Sequence, residues 1–194
     1  MAKYTLKYFN VKGLSEPIRF IFAYADVPFN DVRIEKVDWL NIKKDLPFAQ
    51  VPILDTGDLI LTQSTAIARY LAKTFGLVPT DDLKNAQLDA LVAHMVDMMK
   101  KHSETVQKGE GLEEYEATVV PFYLQKFESL ASEGWFYGTT TSWVDVYFAG
   151  FIDSMETKLK KELLASYPNL DQIRQKVQQK SSVKKYLEKR PVTA

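Results

Sequence analysis

Strand-like patterning stops early in this chain. Short apolar runs rich in β-formers appear at Tyr4–Phe9 (YTLKYF), Asp31–Glu35 (DVRIE), Val51–Leu54 and Leu59–Leu61. From Leu83 onward no convincing strand pattern appears, and apolar residues recur at helical spacing, as at Leu88, Leu91, Val92, Met95 and Met99, with a compact aromatic turn at Gly134–Gly138. The first third reads strand, helix, strand, loop, hairpin, helix. A βαβ unit followed by a hairpin builds a small four-stranded sheet with helices packed on it. The chain is therefore expected to be α/β followed by all-α. The linker GLVPTDD (Gly76–Asp82) places the boundary so that residues 1–78 form one domain and residues 79–194 the other.

The stretch Pro47–Ser64 (PFAQVPILDTGDLILTQS) is the most informative single segment. Its two apolar runs flank a turn of Asp55, Thr56, Gly57 and Asp58, a hairpin signal. Pro52 cannot donate a ladder hydrogen bond, so it belongs at the strand's first residue or edge. Val51, before it, is held extended, with its N–H and C=O free to pair with an extended peptide. Gln63 and Ser64 precede the helical TAIARYLAKTF. Ser64 is expected to cap that helix, whose first N–H groups could hold an anion. An exposed strand edge, an amide and a helix N-terminus together suit a small, extended peptide bearing a carboxylate.

Other helix signals are clear. Ser15-Glu16-Pro17 opens a buried helix, IRFIFAYA, with Ser15 as its expected cap. Leu83–Lys108 reads as one long helix broken by Gly109-Glu110-Gly111. Leu112–Ser132 reads as another, with a kink expected at Pro121. Ser142 and Asp145 form the acidic variant of a capping box. Helices are expected from Pro168 and over Ser181–Lys189.

Composition excludes several chemistries. There is no cysteine, so disulfides, thiolate catalysis by the protein and Cys-ligated metal centres are out. The only histidines, His94 and His102, are expected on a helix surface, and no metal site is expected. With 25 basic and 25 acidic residues, a nucleic-acid or anionic-membrane partner is not expected. The N-terminal MAKYTLKYFNVKG lacks a signal peptide's apolar core, and a cytoplasmic protein is expected.

The motifs YFNVKGLSEPIR, Asp38-Trp39, LPFAQVPIL, QSTAIARYLAKTFGL, SWVDVYFAGF and Lys189–Pro191 occur in order along the whole chain. With them the sequence resembles the cytosolic glutathione transferases, most closely the sigma class, which includes the glutathione-dependent prostaglandin D synthases. The resemblance implies a thioredoxin-like N-terminal domain with a mixed sheet that binds glutathione. It implies an all-helical C-terminal domain forming the pocket for small hydrophobic electrophiles, a homodimer, and a cis Val51–Pro52 bond. Tyr8 matches the family's catalytic tyrosine. A thiol of pKa near ~8.5 is mostly protonated at neutral pH, and a phenol O–H aimed at the sulfur favours the thiolate without ionising itself.

By the same resemblance, Gln63 and Ser64 hold the γ-glutamyl end of glutathione. Val51 bonds its cysteinyl backbone, with Ala49 and Gln50 lining the approach. Trp39 and Lys43 meet the glycyl end, and Asp97 reaches the γ-glutamyl ammonium in the neighbouring subunit. Phe9, Leu14, Met95 and Met99 are expected to line the electrophile pocket. Four positions depart from relatives: Leu14 stands where several sigma members have arginine, Ala49 where many have glycine, and Ala93 and Val96 beside Asp97 deplete an acidic cluster. The implied activity is conjugation of glutathione to electrophiles, with peroxidase and prostaglandin H2 to D2 isomerase activities as variants. The alternative is a non-catalytic ligand-binding or crystallin-like structural protein on the same fold.

Overall fold

The structure, a computed structural model, describes residues 2–193. Strands β1 (Tyr4–Phe9), β2 (Phe29–Ile34), β3 (Ile53–Asp55) and β4 (Ile60–Thr62) form one sheet in the order β2-β1-β3-β4. β1 pairs parallel to β2, with Tyr8 opposite Arg33, and antiparallel to β3, with Leu6 opposite Leu54. β3 and β4 form the expected antiparallel hairpin. The helices are α1 (Glu16–Ala25), α2 (Trp39–Ile42), α3 (Ser64–Thr74), α4 (Asp82–Lys108), α5 (Leu112–Glu114), α6 (Val120–Leu130), α7 (Trp143–Leu159), α8 (Pro168–Gln179) and α9 (Ser181–Lys189). The expected class, a four-stranded mixed sheet followed by an all-helical region, is what the chain forms.

One core runs through both regions. Leu6, Phe20, Phe22 and Leu54 belong to the same buried cluster as Met95, Trp143, Phe148 and Phe151. α7 is buried nearly all round, and it meets α1 backbone to backbone at Gly150. A β-carbon there would lie 2.7 Å from Pro17 Cα and 2.9 Å from the Glu16 carbonyl oxygen. The start of α7 is fixed by the expected capping box. The Ser142 N–H and hydroxyl both donate to Asp145 Oδ2, at 2.7 and 2.9 Å, and the Phe136 N–H donates to Oδ1 at 2.8 Å. Burial raises the Asp145 carboxyl to about 6 against these bonds, which favour its ionised form.

Four local expectations change. Ser15 does not cap α1. A 3₁₀ turn, Gly13–Ser15, precedes the helix, so Ser15 already has helical torsions and its buried hydroxyl has no partner. β2 begins at Phe29, two residues before the polar–apolar alternation, because pairing with β1 extends it. The break near Pro121 lies earlier, in a π turn at Tyr115–Val119. This leaves Pro121 in the first turn of α6, where its missing N–H costs nothing. His102 is buried edge-on against Tyr115 at 5.5 Å, not on the surface, while His94 is exposed.

Candidate active site

Tyr8 ends the buried face of β1, where Tyr4, Leu6 and Tyr8 alternate inward. Its phenol is 8% exposed, and its oxygen accepts the Leu14 N–H at 3.2 Å. With one lone pair so engaged, the hydroxyl proton is left to donate elsewhere. Burial raises the Tyr8 pKa, while the Leu14 amide and the Arg19 charge pull it back. The phenol thus stays protonated through the neutral range. Gly13 is essential to this geometry. It holds φ of 47°, and a β-carbon there would sit 2.6 Å from the Tyr8 oxygen.

The turn that carries Gly13 and Leu14 is braced from beneath. Arg19, fully buried, donates from Nη1 to the Val11 carbonyl at 3.0 Å and to Glu16 Oε2 at 3.1 Å, and from Nε to Asp31 Oδ1 at 3.1 Å. Glu16 Oε1 accepts the Tyr186 hydroxyl at 2.7 Å and Arg190 Nη1 at 2.6 Å. Arg190 also grips Asp153 of α7, at 2.6 and 3.0 Å. Arg19 therefore supplies a positive charge near Tyr8 even though Leu14 brings none.

A cleft of about 410 Å³ opens beside this turn, within the range of roughly 300–1,000 Å³ usual for ligand sites. Phe9 and Leu14 form one wall, and Trp39, which packs edge-on against Phe9 at 4.9 Å, forms another. Ala49, Gln50, Val51, Gln63 and Ser64 complete it. The Val51–Pro52 bond is cis. The cleft rim is conformationally unusual: Ala49 has φ of 49° and Gln63 φ of 70°, left-handed torsions that side chains other than glycine adopt at a cost.

Ser64 behaves differently from expectation, and several other candidates fall outside the cleft lining. Ser64 is the first residue of α3 and makes no capping bond. Gln63 occupies the cap position in a left-handed conformation, so Ser64 already has helical torsions and cannot turn back to cap. Ser64 itself lines the cleft. Lys43 is half-buried, in the 3₁₀ turn after α2, outside the cleft lining. Asp97 is exposed on α4. Met95 and Met99, 0% and 4% exposed, pack in the core rather than on an open pocket wall, because the inward face of α4 is filled by α7. A larger groove of about 660 Å³, between the end of α4 and the π turn, includes none of the residues around Tyr8.

Sequence patterns did not single out Gly13, Arg19 or Tyr147. Tyr147 of α7 is fully buried with its hydroxyl unpartnered, and burial first, then the nearby Tyr8, raises its pKa. A glycine between β1 and α1 was the one available signal for Gly13.

The family profile described as Glutathione S-transferase, N-terminal domain matches residues 4–73, and the one described as Glutathione S-transferase, C-terminal domain matches residues 89–190. The chain belongs to the glutathione transferase family. A glutathione S-transferase of Anopheles gambiae is 37% identical over 201 residues, spanning 100% of this chain and 99% of the relative. The hematopoietic prostaglandin D synthase of Homo sapiens is 36% identical over 201 residues, spanning 100% and 99%. Among solved structures, the prostaglandin synthase D of Nilaparvata lugens superposes with a TM-score of 0.90 at 34% identity, covering 98% of this chain and 100% of that one. The sigma-class likeness of the transferase agrees with these relatives. No helix among the described residues is long and apolar enough to cross a membrane, and no group of three or more metal-ligating side chains occurs among them.

Proposed function

We propose that this transferase binds glutathione in the cleft of about 410 Å³ and uses Tyr8 to activate its thiol. The observation that carries this reading is the Tyr8 hydroxyl, buried, protonated and with its oxygen occupied by the Leu14 amide at 3.2 Å. The hydroxyl donates to the cysteinyl sulfur, a bond stronger to the thiolate than to the thiol. The thiol proton passes to solvent, and the thiolate attacks an electrophile, conjugation being the leading reaction. Val51 bonds the cysteinyl backbone, with Ala49 and Gln50 along the approach. Gln63, the Ser64 hydroxyl and the uncapped N-terminus of α3 hold the γ-glutamyl carboxylate. Trp39 and Lys43 meet the glycyl end.

Asp97 lies outside the cleft of its own chain, so its role at the γ-glutamyl ammonium requires a neighbouring copy, and a homodimer is part of this reading. A cytoplasmic location belongs to it as well. The relatives named prostaglandin D synthase favour isomerisation of prostaglandin H2 to D2 as a second activity starting from the same thiolate. A non-catalytic binding or structural role would have no use for a phenol poised in this way.

The test is the ultraviolet titration of the bound thiolate. A charge-assisted hydrogen bond contributes about 1.5–3 kcal/mol, so the thiol pKa is expected to fall about one to two units below its free value. Tyr8→Phe should restore the free value while glutathione still binds. Tight binding with an unshifted thiol in the native protein would refute catalysis and favour the structural alternative.

A further inference from the structure

The Gly13–Leu14 step has a second side. Leu14 borders the larger cleft, while Gly13 borders a separate, more enclosed cavity of about 230 Å³ between the β1–α1 turn and the end of α7. Phe9 lines both. The Tyr8 hydroxyl lies against Gly13 and accepts the Leu14 N–H, so it touches one residue of each lining.

The lining of the smaller cavity is mainly apolar, but its charged groups are all of one sign. Three lysines, Lys12, Lys36 and Lys158, line it, and no acidic side chain does. Lys12 is already matched, by Asp153 at 3.0 Å and the Thr157 hydroxyl at 2.7 Å. Among the described residues neither Lys36 nor Lys158 enters an ion pair. Ser154 also lines the cavity, 0% exposed, with its hydroxyl unpartnered. A buried hydroxyl without a partner is uncommon and calls for an explanation. Burial lowers the pKa of Lys158, consistent with a charge that lacks a counter-ion.

We propose that this cavity is the electrophile subsite and that it selects an anionic, carboxylate-bearing electrophile, the carboxylate resting between Lys36 and Lys158 and the apolar body against Phe9. This deepens, and rests on, the transferase reading above. For an aryl enone the step balances simply. The glutathione sulfur forms a bond to the β-carbon, the alkene pair moves into the bond between the α-carbon and the carbonyl carbon, and the carbonyl pair moves onto oxygen to give the enolate. The α-carbon then takes a proton from water, replacing the one the thiol gave to solvent. Nothing leaves, and no oxidant is needed.

The test separates binding from turnover. Binding of 4-propanoylbenzoate, which is saturated and unreactive, is compared by calorimetry with that of its neutral N-methyl amide, with glutathione present. One charge-assisted hydrogen bond corresponds to about a tenfold preference for the benzoate. That preference should shrink in high salt and fall towards one in Lys36→Gln/Lys158→Gln. It should persist in the control Lys184→Gln/Lys185→Gln on α9. Equal or weaker binding of the benzoate, or a preference that survives Lys36→Gln/Lys158→Gln, overturns the proposal. Thiolate formation is read separately on the same protein. A thiolate without benzoate preference refutes the subsite alone, and a benzoate preference without a thiolate refutes the transferase reading that the subsite deepens.

Discussion

Gly13 is a glycine because Tyr8 fills the space a side chain would take. Gly13→Ala forces a β-carbon to within 2.6 Å of the phenol oxygen and strains a φ of 47°. A misplacement of ~1 Å at a catalytic group can cost about a hundredfold in rate. The expected outcome is a loss of that order in kcat with glutathione affinity little changed, measured by steady-state kinetics beside a glutathione titration. Tyr8 itself stood out in the sequence as a candidate, through motifs that match the family. Gly13 was not, because its role is a contact through space with a residue five positions earlier. Ser64 was half legible. The sequence placed it at the start of a helix, but Gln63 before it takes the cap position with a positive φ, so Ser64 lines the cleft from inside the helix instead of capping it.

Two elements, α1 and α7, hold the site, and both of their contacts can be tested. Gly150→Ala pushes a β-carbon against the backbone of Glu16 and Pro17. Overpacking of this kind costs about 1–3 kcal/mol. The unfolding midpoint in urea should fall accordingly, and the bound thiolate titration should shift because α1 follows directly on the Tyr8 turn. Asp145 gives a pH signature. Its folded pKa, about 6, lies above the unfolded value of ~3.9, so the native state binds the extra proton between them. Its contribution is therefore fully present below about pH 4 and is lost as pH rises through about 6. The difference amounts to roughly 3 kcal/mol. Denaturation of wild type and Asp145→Asn at several pH values should show wild type losing stability relative to the variant across that window. Most element boundaries followed from periodicity and caps, the long α4 among them. The π turn did not, since Pro121 gave a visible reason to expect the break one turn later.

At the scale of the molecule, the Glu16 network ties the strand region to α7 and α9. Removing one partner from a buried ion cluster costs about 3–5 kcal/mol, because the remaining charge is left unmatched. Arg190→Gln should lower stability by that order in chemical denaturation. It should also loosen the turn over Tyr8, read as a rise in the bound thiol pKa. This network was invisible to sequence reasoning. Lys189–Pro191 was noticed only as a family signature, and its partner Glu16 only as a residue in a helix start. Partners so far apart leave no periodic trace. The cavity with its lysines escaped for the same reason: Lys36 and Lys158 come from distant parts of the chain, and only the fold brings them to the lining of one cavity.

The separation has a consequence for how the protein is made. Arg190 follows Glu16 by 174 residues. At about 5–20 residues per second, a ribosome needs on the order of ten to thirty seconds to connect them. For that interval the strand region can gather its sheet, yet the brace under the Tyr8 turn lacks its outer half. A nascent chain paused within α8 would therefore carry every residue of its own proposed above to contact glutathione and still lack the lock that holds the turn over Tyr8 in place.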